Sequence, residues 1–223
     1  MRRWVALVLT AVLLFPGKVN ASETKYVALT LDDGPSGHYT QRLLEGLQKR
    51  NVKATFLLCG YRMEQYPGMA ETIFRQGHEI GLHGYSHKDM SAMTYTQVAK
   101  EIADTKALLP EGCRPAFLRT PGGAWSATVA QAASDAGLAL LKWSVDPRDW
   151  ATHDAAAVTA AVVDCVSDGD IILLHDMCDC SVNAALDIVD RLLAEGFHFV
   201  TVSQLAEIKG VQPKKGKLYC SFR

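Results

Sequence analysis

The chain has 223 residues, of which 48% are hydrophobic and 21% are charged, with a formal net charge of −1 at pH 7. After an N-terminal leader, about 200 residues remain, which suffice for one substantial core and are too few for two comfortable domains. A nucleic-acid-binding protein concentrates Lys and Arg on one face, and nothing in this sequence indicates that class.

The N-terminus is typical of a secretory signal peptide. Two arginines precede an apolar run over residues 4–15, and residues 19–21 offer small side chains for cleavage. The run ends at Pro16, well short of the about 20 apolar residues that a transmembrane helix needs. We therefore expect a signal peptide over residues 1–21 and a secreted, extracellular or cell-wall-associated mature chain over residues 22–223 with no membrane span. Cleavage removes three of the 23 basic residues and none of the 24 acidic ones, which leaves 20 basic residues and a net charge of −4.

All six cysteines lie in the mature chain, which permits up to three disulfides among 15 connectivities. The sequence does not choose among these pairings, and free thiols are an alternative to all of them. Cys178 and Cys180 flank a single residue, so a metal site is a further interpretation of that pair. The redox state of the cysteines stays open at this stage.

Seven short apolar runs recur along the mature chain, each set off by a glycine or a polar residue. Strands that are buried on both faces require such continuous apolar character. The runs are YVALTL (26–31), KATFLL (53–58), HEIGL (78–82), PAFLR (115–119), LALLKWSV (138–145), DIILLH (170–175) and FHFVTV (197–202).

Helical patterns and caps lie between these runs. Leucines at positions 43, 44 and 47 share one helix face, and Thr94 with Gln97 forms a capping box. Ser126 can cap the next helix, and residues 184–195 form a helix that ends at Gly196. Strand and helix thus alternate, which predicts parallel strands covered by helices. Seven units without a GxGxxG after the first strand favour a short, irregular relative of the eight-fold barrel over an open doubly wound sheet.

Polar side chains that can do chemistry lie at the ends of five predicted strands. Taken alone, the first pair is also typical of an ordinary turn. Because the C-terminal ends of barrel strands meet at one face, however, the five sets predict one shared site. They are Asp32 and Asp33, His83 and His87, Arg119, Asp146 with Asp149 and Trp150, and His175.

The His-x-x-x-His spacing of His83 and His87 suggests a metal site. Zinc proteases need Glu directly after the first His, and this chain has Gly84 there, which excludes that class. Two imidazoles with one carboxylate leave a coordination position open for water. A divalent ion lowers the pKa of such a water from about 15.7 toward 7. One of the paired acids can bind the metal while the other accepts a proton, which indicates a hydrolase.

The motifs LTLDDGP, HGYSH, RTPGG, DPRDW and LLH occur in this order. Together they resemble the five motifs of the polysaccharide deacetylases, the NodB-homology or carbohydrate esterase family 4 domain, over essentially the whole mature chain. The resemblance implies a single-domain, distorted (β/α)7 TIM-like barrel. It also implies metal-dependent removal of N-acetyl groups from an aminosugar polymer, either peptidoglycan or a chitin-like glycan. We expect a monomer that acts on this polysaccharide.

The resemblance also implies roles for individual residues. It assigns the catalytic base to Asp32, held by Arg119, and the metal ligands to Asp33, His83 and His87. Zn²⁺ is the expected ion, with Co²⁺ or Ni²⁺ as alternatives, because this ligand set tolerates several metals.

The remaining implied roles concern the acid and the substrate. His175 is assigned as the general acid, oriented by Asp149. The backbone N–H of Gly122 is implied to stabilise the oxyanion, and an apolar slot is implied to hold the acetyl methyl group. The implied substrate-binding positions are Pro121, Gly122, Trp150 and Leu173.

Two positions depart from the family pattern, and two rival functions stand. Gly122 replaces an aromatic or larger residue of many members, and Leu82 replaces the Asn that commonly precedes the first metal histidine. We expect altered loop packing at Leu82 with the metal retained. An O-acetyl esterase acting on xylan or another polysaccharide fits the same five motifs, and a non-catalytic carbohydrate-binding barrel is the alternative from another class.

Overall fold

The structure, a computed structural model, describes residues 24–223, so the predicted signal peptide lies outside the described residues. Within these residues, eight strands form one sheet, and all of its strand pairings are parallel. They are β1 (Lys25–Asp32), β2 (Thr55–Leu58), β3 (Glu79–Leu82), β4 (Phe117–Leu118), β5 (Ala139–Leu141), β6 (Ile171–His175), β7 (Phe197–Phe199) and β8 (Leu218–Tyr219).

The strand order makes the sheet a barrel. It runs β6-β1-β2-β3-β4-β5-β8, and β7 pairs with the start of β1. Val145, beyond the end of β5, bridges Ile172 in β6, so the two sides of the sheet approach each other. The strands β1–β7 correspond to the seven predicted runs and β8 is an addition beside β5, so the predicted distorted (β/α)7 barrel in a single domain is confirmed.

Helices cover the sheet between successive strands. They are α1 (Gly37–Lys49), α2 (Gly60–Gln65), α3 (Met69–Arg75), α4 (Tyr95–Ala107), α5 (Ala127–Asp135), α6 (Ala155–Val163), α7 (Asp179–Ala194) and α8 (Val202–Ile208). The predicted caps are present, since Thr94 and Gln97 form a capping box on α4 and Ser126 accepts a hydrogen bond from Val129 N on α5. None of the helices in the described part of the chain is both long and apolar enough to cross a membrane.

The core follows from burial of both sheet faces. Residues 27–32 of β1 are buried without interruption, as a central parallel strand requires. Leu43, Leu44 and Leu47 of α1 are buried against the same cluster as β1 and β6. Each such leucine contributes about 1.5–3 kcal/mol when buried. The register of β1 and β6 pairs Asp32 with His175, which places these two side chains side by side at the C-terminal edge.

Several predicted boundaries were wrong. The strand predicted over 197–202 ends at Phe199, because Thr201 and Gln204 form a second capping box that begins α8. The run 138–145 is a strand only over Ala139–Leu141, and the last predicted helix begins at Asp179, five residues earlier than expected.

The six cysteines are free thiols in this structure. Cys178 caps α7, where its sulfur accepts a hydrogen bond from Ser181 N. Within residues 24–223, the one group of three metal-binding side chains that come together is Asp33, His83 and His87. The metal-site interpretation of Cys178 and Cys180 therefore has no support in the described residues.

Candidate active site

The five predicted strand ends meet at one face of the barrel. They line a cavity of about 380 Å³ at the C-terminal edge of the sheet. Ten residues line it: Asp32, Asp33, His83, His87, Gly122, Trp143, Asp146, Trp150, Leu173 and His175. The parallel order of the sheet brings together residues that are up to 143 positions apart, since Asp32 and His175 are register partners.

Asp33, His83 and His87 present three metal-binding atoms to one point. Oδ1 of Asp33 lies 2.8 Å from Nε2 of His87 and 3.2 Å from Nε2 of His83. Nδ1 of His83 is hydrogen-bonded to the carbonyl oxygen of Arg119 at 2.8 Å. Because a carbonyl only accepts, Nδ1 donates this hydrogen bond, and Nε2 is the nitrogen that faces Asp33. This set of one carboxylate and two imidazoles fits a divalent ion such as Zn²⁺.

The short distances within the triad shift the pKa values of its members. Burial raises the pKa of Asp33, but the hydrogen bonds and charges of His83 and His87 outweigh it and hold that pKa well below its usual range. The hydrogen bond to Asp33 raises the pKa of His87 against the effect of burial. The carboxylate is therefore ionised at neutral pH and is ready to bind a cation.

Asp32 is fixed by a buried arginine. Its Oδ1 accepts a hydrogen bond from Nη1 of Arg119 at 2.6 Å, and both side chains are almost completely buried. The same guanidinium donates to Oγ1 of Thr30 and to the carbonyl oxygen of Lys142. Oδ2 of Asp32 is left to face the triad, 3.7 Å from Nε2 of His83. One oxygen of this carboxylate thus anchors it, and the other is directed at the candidate metal site.

His175 is held by Asp149. Oδ1 of Asp149 lies 2.8 Å from Nδ1 of the imidazole, and Oδ2 accepts the backbone N–H of His175 at 2.9 Å. Burial lowers the pKa of His175, but the hydrogen bond and charge of Asp149, with the charges of Asp32 and Asp33, raise it to about 9. His175 is therefore protonated at neutral pH, with Nε2 left as its free nitrogen.

The predicted substrate positions lie around the same cavity. Pro121 begins a short 3-10 turn over Pro121–Gly123, and Gly122 in that turn has a positive φ of 65° and lines the cavity. Leu173 of β6 is buried at its floor, while Trp150 is 61% exposed at its rim. Leu173 and Trp150 therefore supply apolar surface next to His175.

Trp143 is a cavity residue that sequence reasoning missed. Its ring lies 5.5 Å from the guanidinium carbon of Arg119 and packs against Gly123, where an added Cβ would approach it to 2.7 Å. The residue stood inside a predicted strand, and the chain leaves the sheet just before it, at Leu141. The sole signal available was an aromatic residue near the C-terminal end of a strand.

Leu82, which stands where many family members have Asn, lies directly before the first histidine of the triad. Its side chain is completely buried, and it packs with Met90, Val98 and Leu118. The next residue, His83, still directs its ring at the triad. Both predicted histidine ligands therefore stay together with Asp33 beside a leucine at this position.

The chain is similar to proteins of known activity. The family model described as polysaccharide deacetylase matches residues 19–141. The chain is 34% identical over 206 residues to the peptidoglycan-N-acetylglucosamine deacetylase PgdA of Listeria monocytogenes, covering 92% of this chain and 43% of that protein. It is 35% identical over 188 residues to the peptidoglycan-N-acetylmuramic acid deacetylase PdaC of Bacillus subtilis, covering 83% and 39%.

A solved structure has the same fold. The family 4 acetyl xylan esterase of Clostridium thermocellum, solved in complex with a cobalt ion, has 36% sequence identity and a TM-score of 0.82, and the match covers 88% of this chain and 98% of that one. The chain spans about two fifths of the length of the Listeria and Bacillus relatives.

Proposed function

Because the chain belongs to the polysaccharide deacetylase family, we propose that it is a metal-dependent hydrolase that removes N-acetyl groups from an aminosugar polymer and releases acetate. The proposed substrate is peptidoglycan, at its N-acetylglucosamine or N-acetylmuramic units, because the Listeria and Bacillus relatives are named for these activities. A chitin-like glycan is the other polymer of this class. One observation carries the proposal, which is that a carboxylate, a metal-binding triad and a protonated histidine share one cavity.

The metal would be held by Asp33, His83 and His87. When bound, a divalent ion polarises the acetyl carbonyl and lowers the pKa of a coordinated water. We propose Zn²⁺, with Co²⁺ or Ni²⁺ as alternatives, because imidazole and carboxylate donors suit all three ions.

Asp32 is the proposed general base. Its Oδ2 faces the triad and carries no hydrogen bond from Arg119, so it is the oxygen that can accept a proton from the attacking water. Arg119 keeps the carboxylate in place through Oδ1, and burial protects the pair from solvent. Proton transfer by a side chain positioned in this way contributes about 10²–10⁴-fold to rate.

His175 is the proposed general acid. Asp149 holds Nδ1, so the proton on Nε2 is the one that the departing amine nitrogen receives. A pKa of about 9 keeps that proton on the ring at neutral pH until the carbon–nitrogen bond breaks. Base and acid come from register partners on neighbouring strands, so they can act on the two sides of one acetamide.

Gly122, Leu173 and Trp150 are the proposed contacts to the acetyl group. The backbone N–H of Gly122 can donate to the oxygen that gains negative charge in the transition state. The apolar surfaces of Leu173 and Trp150 favour the methyl group over water. Pro121 holds the start of this turn in place by its fixed φ.

The test is product analysis of the full chain loaded with Zn²⁺. Incubation with muropeptides and chitooligosaccharides should produce species that lack one acetyl mass, detected by mass spectrometry, together with free acetate. Asp32→Asn should abolish turnover and leave glycan binding in place, because the side chain keeps its shape and loses its proton acceptor. Asp104→Asn is the matched control, since Asp104 lies on α4 and pairs with Lys100 outside the cavity. Wild-type rates in the Asp32→Asn variant would remove Asp32 from the mechanism.

The similarity to an acetyl xylan esterase supports a second candidate, O-deacetylation of xylan. The same base, triad and acid can cleave an ester. Acetate release from acetylated xylan, measured beside release from N-acetylated glycans under identical conditions, separates the two. Preference for the ester substrate would replace the first proposal with the second.

Secretion belongs to the same proposal. A cell-wall polymer lies outside the membrane, and residues 1–21 have the pattern of a signal peptide. We propose export followed by cleavage, with the mature enzyme acting as a monomer at the wall. N-terminal sequencing of the exported protein should begin at Ser22, and retention of residues 1–21 in a cytoplasmic protein would contradict this.

A further inference from the structure

The loop that joins the two metal-binding histidines is held by one carboxylate. Glu101 of α4 accepts the backbone N–H of Tyr85 at 2.6 Å and that of Ser86 at 2.8 Å, both on Oε2. Its Oε1 accepts the hydroxyl of Ser86 at 2.7 Å. Both oxygens of Glu101 are thus used on the two residues that immediately precede His87.

The carbonyl groups of the same loop are held from the opposite side. Gly60 N donates to the carbonyl oxygen of Gly84, and Tyr61 N donates to that of Tyr85, each at 3.0 Å. A side chain at Gly60 would collide with the ring of Tyr85, so the first turn of α2 can approach this closely because residue 60 is glycine. The loop therefore lies between Glu101 and the start of α2, with its peptide groups paired on both sides.

The two histidines differ in how they are oriented. His83 is buried, and its Nδ1 is hydrogen-bonded to the carbonyl oxygen of Arg119. His87 has a side chain that is 39% exposed, and within residues 24–223 the partner of its ring is Asp33, which contacts Nε2 and leaves Nδ1 without a protein partner. His87 also has a positive φ of 57°, which a non-glycine residue adopts when its surroundings impose it. The backbone that precedes His87 therefore determines where its ring lies.

We propose that Glu101 is a positioning residue of the metal site, which acts through Tyr85 and Ser86 to hold His87 against Asp33. The proposal rests on the proposed function in one respect, because it requires the triad to bind a metal. A carboxylate makes stronger hydrogen bonds to N–H groups than a neutral acceptor does. Outer groups that orient metal ligands typically account for about 10–100-fold in metal affinity. Without Glu101, the two amides and the hydroxyl lose their partner, and the ring of His87 loses the backbone that orients it.

The experiment compares Glu101→Ala and Glu101→Gln with Asp104→Asn, all in the full chain. Asp104 is a matched control because it lies one turn along α4 and its hydrogen-bond partner is Lys100 rather than a residue of the loop. The Zn²⁺ dissociation constant is measured without substrate, by competition with a chromophoric chelator, and urea unfolding of the metal-free protein is measured beside it. We expect Glu101→Ala to weaken Zn²⁺ binding by about 10–100-fold and Asp104→Asn to leave it unchanged.

Glu101→Gln separates positioning from packing. Its amide oxygen can still accept the two backbone N–H groups and its NH₂ group can donate to the hydroxyl of Ser86. We therefore expect this variant to recover most of the affinity lost in Glu101→Ala. The Co²⁺ absorption spectrum should match the wild type in Glu101→Gln and should change in Glu101→Ala, because the spectrum reports coordination geometry.

Each result decides the matter. Wild-type Zn²⁺ affinity in Glu101→Ala, with only the unfolding of the metal-free protein affected, overturns the proposal and reduces Glu101 to a structural residue. If Glu101→Ala does not fold, Ser86→Ala removes one of the three contacts, and unchanged Zn²⁺ affinity in that variant overturns the proposal equally. A wild-type chain that binds no metal defeats the proposed function itself and this inference with it.

Discussion

Replacing Asp149 with asparagine should move the basic limb of the pH profile. Burial lowers the pKa of His175, and Asp149 is the main group that raises it to about 9. The asparagine side chain keeps a hydrogen-bond acceptor for Nδ1 and loses the charge, so the pKa should fall to about 6.5 or below. At pH 8 the protonated fraction of His175 then drops from about 0.9 to about 0.03, which is a loss of about thirty-fold in the active form.

Two measurements check this prediction. NMR titration of the His175 ring gives its pKa directly, and kcat/KM between pH 6 and pH 10 gives the basic limb. Asp146→Asn is the matched control, because Asp146 lies in the same loop and accepts a hydrogen bond from Arg148 N rather than from His175. A basic limb that stays near pH 9 in Asp149→Asn would refute the assignment of His175 as an acid tuned by Asp149.

The same pair makes stability depend on pH in a defined direction. The folded-state pKa of His175 lies above the value of about 6.5 in an unfolded chain. Its stabilising contribution is therefore complete below about pH 6.5 and is lost as the pH rises through about 9. The shift corresponds to about 3 kcal/mol, and urea unfolding at pH 6 and pH 10 should show that this contribution is absent in Asp149→Asn.

Arg119→Ala should destabilise the fold by about 3–5 kcal/mol, because it leaves Asp32 buried without its partner; urea denaturation measures this, and an unchanged free energy of unfolding would contradict it. Gly123→Ala and Gly112→Ala should each cost about 1–2 kcal/mol from left-handed backbone strain. Gly123→Ala alone should also lower kcat, because the added Cβ would meet the ring of Trp143 next to the backbone N–H of Gly122. A Cβ added at Gly112 would meet no atom within 4 Å. Equal kcat in the two variants would count against the contact with Trp143. Removal of divalent metal by a chelator should abolish activity and lower the melting temperature, since bound metal stabilises the folded state by mass action. Added Zn²⁺ should restore both. Activity that survives chelation would refute the metal site.

The barrel was predictable because each strand carries its own signal. Residues buried on both faces of a parallel strand must be apolar in succession, as in residues 27–31 of β1. Strand direction then places every polar residue that follows a strand at one face. The acids, the histidines and the arginine at the strand ends could therefore be predicted without knowledge of contacts, whereas the cavity residue Trp143 could not.

Elements without a periodic signal were not predicted. Residues of α6 are alanine, valine and threonine throughout, so no apolar stripe separates a buried from an exposed face. β8 is two residues long and exists as a strand because β5 lies beside it. The start of α8 was predictable in principle, because Thr201 and Gln204 have the spacing of a capping box.

The anchoring contacts of the site depend on tertiary structure. Glu101 is 14 residues from His87 and lies on a helix whose exposed and buried positions are mixed, so no sequence pattern singles it out. Its contact with the loop is formed by the packing of α4 beside that loop. Trp143 likewise approaches Arg119 because the chain bends away from the sheet after Leu141. Glu101 and Trp143 are therefore identified by packing, whereas Arg119 and Asp149 were already indicated by the sequence motifs.

Anomalous diffraction at the zinc edge, from crystals of the full chain soaked in Zn²⁺, tests the central claim most directly. We expect one strong peak about 2.0–2.2 Å from Nε2 of His83, Nε2 of His87 and a carboxylate oxygen of Asp33, with Asp32 beside it. A map without a peak at that position, or with zinc bound only at Cys178 and Cys180, would contradict the account.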